Sequence, residues 1–299
     1  GLPAAWLEEE LERSRSYAER PPQEIMHRGS GWGALECRRR EKAGEPPFAS
    51  DALAVDEASL GEDQAPWLAL LSEGQLLIQD PTQLCGGWMV QEEWRQILEA
   101  AVKEGRGDHW LSWLHLGVMR YHAGDDEAAR AAWETSIEHQ PSSWALRNMA
   151  VQASHRGDSP EAAELWLQAY RLAPGLTPLA VECTKALLDA GRAEEVDTLL
   201  QTAPAEVLAH GRLRVYQAQA AYELGDFDKA EAILKGSIEL ADLREGEVLL
   251  SDLWYAIQEQ RVAAAEGLGV DEELKKRVRK EYPLPEHLDF RMSAQSNTK

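Results

Sequence analysis

"SWLHLGVMRYHAGDDEAARAAWETSIEHQP", residues Ser112 to Pro141, decides how this chain is read. Trp113, Leu116 and Gly117 recur at helical spacing and mark one face of an amphipathic helix. Gly124 ends that helix, because glycine enters the left-handed conformation without steric cost. Asp125 and Asp126 then favour the start of a second helix, by capping it and by placing anions at the positive end of its dipole. Ala129 is small enough to let the paired helices approach. Trp133 fills the space between them, and Pro141 closes the unit.

The same punctuation returns. Gly124, Gly157, Gly191 and Gly225 are spaced by 33, 34 and 34 residues. Five places after each stands Ala129, Ala162, Val196 or Ala230. Four further on stand Trp133, Trp166, Leu200 and Leu234, and three beyond those Ser136, Ala169, Ala203 and Ser237. Four landmarks holding one register over four copies define a repeat of helix pairs. A single pair cannot bury its own apolar face, so copies stack on one another.

An aromatic, Leu-Gly, a central glycine turn, alanine, a bulky residue, a small residue and proline together resemble the tetratricopeptide repeat. Copy one, 110–142, matches nearly throughout. Copy two, 143–176, keeps Leu146, Met149, Ala150, Ala162, Trp166, Ala169 and Pro174. Copy three, 177–205, is degenerate, with Val196 in place of alanine and no terminal proline in register. Copy four, 211–243, keeps Ala218, Gly225, Ala230 and Leu234. The resemblance covers a little under half of the chain. It implies an all-α fold, an α/α superhelix of tetratricopeptide-like helix pairs with an irregular helical N-terminal region.

The flanks extend this reading. "WMVQEEWRQILEAAVKEG" (88–105) places Trp94, Ile97, Leu98 and Ala101 on one stripe, as a leading helix under copy one. "EVLLSDLWYAIQEQRVAAAEG" (247–267) and "VDEELKKRVRKEY" (270–282) form a terminal pair that shields the last repeat. Nearer the start, helices are expected over 3–19, 32–43 and within "EDQAPWLALLSEG" (62–74). A short extended segment is expected at Leu76 to Ile78. The expected organisation is 1–89, helices and loops packing on the repeats; 90–243, a leading helix and four repeats; 244–285, capping helices; and 286–299, a tail.

Three stretches, "HRGSGWGALE" (27–36), "WMVQEEWRQILE" (88–99) and "YPLPEHLDFRM" (282–292), are together similar to the C-terminal portion of a family of large bacterial proteins. There an N-terminal β-sandwich domain precedes a tetratricopeptide tail. That resemblance implies an upstream β-sandwich domain of the same chain as a partner, and carbohydrate-related roles.

Composition removes some function classes. The chain has 52 acidic and 31 basic residues, a formal charge of −21, which repels nucleic acid. Its one basic run, Arg38 to Arg40, is flanked by Glu36 and Glu41 and reads as a solvated helix face. Cys37, Cys85 and Cys183 form no CxxC and are odd in number, which suits reduced thiols in a cytoplasmic protein. No apolar run approaches the roughly 18 residues of a membrane span.

The "GSGWG" of residues 29–33 is a poor nucleotide loop. No strand precedes it, its spacing is not GxGxxG, and no GKS or GKT follows. Two readings remain. As a substrate loop, Trp32 would stack on a sugar and Glu36, one helical turn on, would serve as acid or base. As a connector, the glycines permit a tight turn and Trp32 plugs a gap. The connector is favoured, and no catalytic residue, cofactor or metal is assigned. His122 and His155 occupy equivalent places, with His115 one heptad before His122. Repeat equivalents stack roughly 10 Å apart, so these two need not converge on one metal ion, and they read as solvated groove histidines.

In tetratricopeptide arrays the first helix of each pair lines a groove. The resemblance places Leu114, Val118, Tyr121 and His122 there from copy one, and Trp144, Arg147, Asn148, Val151 and His155 from copy two. Copy three brings Val181, Glu182, Lys185 and Leu188, and copy four Val215, Tyr216, Gln219 and Tyr222. Of the positions with which some members clamp a chaperone tail, only Asn148 matches. Aromatics mixed with isolated charges suit a protein or peptide segment. The expected function is a noncatalytic interaction scaffold. The alternative is the helical C-terminal part of a larger carbohydrate-active protein, with Trp32 and Glu36 contributing to or bracing a sugar site.

Overall fold

The computed structural model describes residues 4–19, 31–46, 55, 57–83, 85, 87–236, 238 and 249–289. Its regular elements are all helical, and no strand occurs among the described residues. Leu76 to Ile78, expected to be extended, takes no regular structure. The chain divides into two compact units, 1–141 and 142–299.

The first unit holds α1 (Ala4–Glu19), α2 (Trp32–Ala43), α3 (Ala65–Glu73), α4 (Glu92–Lys103), α5 (Trp110–His122) and α6 (Asp126–His139). Helix α3 packs on both α2 and α4, α4 on α5, and α5 on α6. The core combines buried leucines, such as Leu35, Leu70, Leu98 and Leu111, with tryptophans. Trp67, Trp94, Trp110 and Trp133 are each at most 1% exposed. An indole fills more space than any other side chain, and its N–H usually finds an acceptor when buried, which three of these four do and Trp110 does not. Trp67 donates to the Gly87 carbonyl at 3.0 Å, Trp133 to the Leu114 carbonyl at 3.2 Å and Trp94 to Glu36 Oε2 at 3.0 Å. Gly117 makes room for one of them. A Cβ at that position would lie 2.2 Å from Trp133 Nε1.

The second unit holds α7 (Ser143–His155), α8 (Ser159–Leu172), α9 (Thr177–Asp189), α10 (Ala193–Thr202), α11 (Ala205–Leu208), α12 (Gly211–Glu223), α13 (Phe227–Lys235), α14 (Leu249–Glu266) and α15 (Glu272–Glu281). Pairs α7–α8, α9–α10 and α12–α13 follow the expected copies two, three and four, and α9 packs on α8 and α12. Helix α14 lies on α12 and α13, and α15 on α14. Val215, Ala230, Leu234, Leu253, Trp254 and Ile257 share one core cluster. Leu288, in the segment expected to be a tail, is 1% exposed in that same cluster, and His287 Nε2 lies 2.9 Å from the Leu234 carbonyl.

The turns explain the repeat in local terms. Gly124, Gly157, Gly191 and Gly225 take φ of 81°, 77°, 69° and 80°. The next residue's N–H reaches back to the first helix in every copy, from Asp125, Asp158, Arg192 and Asp226 to the carbonyls of Arg120, Ala153, Leu187 and Ala221. This is the Schellman closure that a left-handed residue permits. In three of the four turns the aspartate then caps the second helix. Asp125, Asp158 and Asp226 each accept from the N–H three residues on, at 3.0, 3.1 and 3.1 Å. The degenerate copy has Arg192 there, with no side-chain cap.

Candidate interaction face

Helices α7, α9 and α12 open successive pairs in the second unit, so equivalent positions on them form one face. Trp144, Arg147, Asn148 and Val151 come from α7, Val181, Glu182 and Lys185 from α9, and Gln219 and Tyr222 from α12. All but Lys185 are half-buried; Lys185 is exposed.

The charges of this face are satisfied within it. Arg147 Nε donates to Glu182 Oε2 at 3.0 Å and Nη2 donates to Oε1 at 2.6 Å, a fork-to-fork pair between neighbouring repeats. The same guanidinium lies over the Trp166 ring, 5.6 Å from its centroid. Lys185 Nζ pairs with Asp189 at 2.5 Å, and Gln219 donates to Glu223 at 3.0 Å. Tyr222 rests on Phe227, with centroids 5.7 Å apart. The other side chains of the face are apolar or neutral: Trp144, Val151, Val181, Tyr222 and Asn148.

Several positions read as groove-lining lie inside the fold. Leu188 and Tyr216 are 6% and 9% exposed, and Val215 is fully buried. Val215 belongs to the cluster that α14 completes, and contacts between α9 and α12 cover the rest. A groove position read from one repeat takes no account of how closely the next element lies over it. In the first unit Leu114 is 3% exposed, Val118 is half-buried, and Tyr121 is half-buried with its ring 5.7 Å from that of Trp133. His122 and His155 are the exposed last residues of α5 and α7 and belong to different compact units. His115 is 4% exposed, against Trp67 at a ring separation of 4.9 Å. Among the described residues no three His, Cys, Asp or Glu side chains are placed to hold a metal ion.

The loop at "GSGWG" enters the described residues at Gly31. This glycine precedes α2 with φ +85°, and a Cβ there would sit 2.5 Å from both Gln64 Oε1 and the Ser59 carbonyl. The Trp32 ring is half-buried over Gly87, where a Cβ would come within 2.2 Å of it. Glu36 is held from three sides. Arg39 donates to both of its oxygens, at 2.7 and 2.9 Å, Arg40 donates at 3.1 Å and Trp94 at 3.0 Å. Burial by itself would raise the Glu36 pKa. The hydrogen bonds from Arg39 and Trp94 and the charge of Arg39 outweigh it and hold the carboxyl below the ordinary range. Arg39, 3% exposed, also reaches Glu45 at 2.7 and 2.6 Å. In this arrangement Glu36 ties α2 to α4, and its lone pairs are already engaged. Burial pushes the thiols of Cys85 and Cys183 up to about 12, so neither forms a thiolate nucleophile near neutral pH. No helix among the described residues is long and apolar enough to cross a membrane.

Comparison with known proteins bears on the repeats. The tetratricopeptide repeat family model matches residues 143–168 and 211–235, which are α7 with most of α8, and α12 with α13. The chain thus carries tetratricopeptide-like repeats. No curated protein matches it. Among solved structures, a chain of "Structure of Naa15/Naa10 bound to HypK-THB" aligns at 16% identity with a TM-score of 0.41. The alignment covers 66% of this chain and 30% of that one, so this chain spans less than a third of that chain's length.

Proposed function

We propose that this chain is a noncatalytic protein-interaction scaffold. Its binding surface is the face that α7, α9 and α12 share, and its ligand is a protein or peptide segment. The observation that carries this reading is the Arg147–Glu182 pair, joined at 3.0 and 2.6 Å across two repeats. With those charges matched to each other, the surrounding side chains Trp144, Asn148 and Tyr222 give the face an apolar and neutral character. A segment with an apolar stripe and few charges fits such a face, by the helix-in-groove or extended modes that use side chains at regular spacing. A clamp for a terminal carboxylate is a poor fit, because the arginine it would need is already neutralised.

Large aromatic anchors carry most of the affinity at such surfaces. Trp144→Ala combined with Tyr222→Ala is therefore expected to weaken binding of a protein ligand by roughly ten-fold or more. Glu164→Ala, on α8, leaves it unchanged. Equal affinity of the double variant and the parent chain would overturn the assignment of the face.

A further inference from the structure

His109 and His115 join two elements of the first unit to α5 and its N-terminus through rings that each bury a nitrogen with no hydrogen-bond partner. His115 lies in the middle of α5 and is 4% exposed. Its ring meets Trp67 of α3 at 4.9 Å and 63°, and Trp67 in turn stands edge-on to Trp94 at 5.9 Å. His115 Nδ1 has no hydrogen-bond partner. His109 precedes α5, and its side chain does not cap the helix. Its Nε2 lies 3.0 Å from the Leu76 carbonyl, which can only accept, so this nitrogen carries the proton of the neutral ring. His109 Nδ1 is buried and also without a partner. The segment from Trp67 to Leu76, both at most 2% exposed, is thus attached to α5 through two imidazoles.

Protonation would give each ring a buried N–H with no acceptor. At His109 it would also place a cation at a helix N-terminus, where the dipole opposes it. An imidazolium at His115 would gain roughly 1–2 kcal/mol from the face of an indole, but dehydrating the ion costs several. The charged groups that face the pair do not reverse this. Asp108 favours a cation at His109 and His139 opposes it; His139 itself lies 3.1 Å from Asp108, which also accepts from Trp113 Nε1 at 2.7 Å. Only His109 acts on His115, and it acts against the charge. Glu99 of α4 is engaged by Arg120, and Glu36 of α2 by Arg39 and Arg40.

We propose that mild acid releases the segment from α3 to Leu76 from α5, with His109 and His115 as the groups that take up the protons. The first unit then exposes the Trp67 face of α5 while the helix pairs of the second unit stay closed.

Burial lowers the pKa of both rings, that of His115 to about 4; at His109 the hydrogen bond to the Leu76 carbonyl favours the charged ring but does not outweigh burial. A lowered histidine value favours the closed form fully above the free-chain value near 6.5, and that advantage is lost as the pH falls toward 4. At pH 5 the linkage from His115 alone weakens the closed state by roughly thirty-fold.

The test is hydrogen exchange of the intact chain between pH 7.5 and 5, corrected for intrinsic exchange rates, with the amides of α7 and α8 as internal reference. The expected result is a selective loss of protection over 65–76 and the first turns of α5. His109→Gln keeps an N–H donor toward Leu76 without titrating, and His115→Leu keeps the apolar fill. Each variant is expected to lose less protection than the parent on acidification. Loss in parallel with α7 and α8, or losses in both variants as large as in the parent, would overturn the proposal. Should His115→Leu fail to fold, the Hε1 resonance of His115 in the parent chain decides. It must titrate together with the release, and a ring that titrates independently of it contradicts the mechanism.

Discussion

Arg147 and Glu182 stand 35 residues apart, at neighbouring positions on the first helices of consecutive pairs, and meet through two hydrogen bonds of 3.0 and 2.6 Å. Their side chains are 37% and 33% exposed. The pair therefore contributes modestly to stability, roughly 0.5–1 kcal/mol. Its larger effect is on what the face accepts. Glu182→Gln leaves Arg147 with an unmatched charge beside Trp144 and Asn148. That variant is expected to gain several-fold affinity for an acidic peptide over its amidated, neutral counterpart, read by fluorescence polarisation, while the parent chain shows no such preference.

Gly117→Ala tests the packing of α5 on α6. The added Cβ would fall 2.2 Å from Trp133 Nε1, and Trp133 is 1% exposed with its N–H committed to the Leu114 carbonyl. The ring has nowhere to go. Overpacking of this kind costs roughly 1–3 kcal/mol, which urea denaturation followed by tryptophan fluorescence would register. An unchanged midpoint would mean that the two helices can part without penalty.

The aspartate caps give a graded prediction. Asp158→Ala and Asp226→Ala each remove an acceptor from a helix N-terminus and are expected to cost about 1 kcal/mol. Arg192→Ala, at the equivalent place in the degenerate copy, removes no cap. It loses only its partly exposed pairs with Glu195 and Glu164 and should cost roughly half as much. Equal costs at all three sites would argue against capping as the reason for aspartate in the turn.

These turns also show what was legible in the sequence. A glycine that must take positive φ and an aspartate that must accept from the third N–H are local requirements. The periodic Gly-Asp signal therefore gave the helix pairs to within a residue or two. The first unit was legible as helices but not as a core. Its decisive contacts join residues far apart in the chain, such as Glu36 with Trp94, 58 residues away, and His109 with Leu76, 33 away. Nothing near His115 in the sequence announces Trp67. The face was half legible. Register places Trp144, Arg147 and Asn148 on the first helix of copy two, whereas the burial of Val215 and Tyr216 depends on neighbouring elements that register does not describe.

Glu36→Gln is expected to destabilise the first unit by roughly 1–3 kcal/mol at pH 7, because Arg39 and Trp94 each lose an ionised acceptor. The pH dependence has a definite sign. Glu36 titrates lower in the folded chain than when unfolded. Its contribution is therefore complete above the ordinary carboxylate value and is lost as the pH falls through the lowered one. That window lies below the one assigned to the histidines. Stability curves against pH should thus show a shallower lower limb in the Gln variant and an unchanged upper one.

The most direct test of the central claim places a photo-crosslinking amino acid at Asn148, on the shared face of α7, α9 and α12, and separately at exposed Gln168 on α8. A discrete protein adduct is expected from position 148 and not from 168, and Trp144→Ala is expected to reduce its yield. Adducts formed equally from both positions, or from 168 alone, would contradict the assignment of this face as the binding surface.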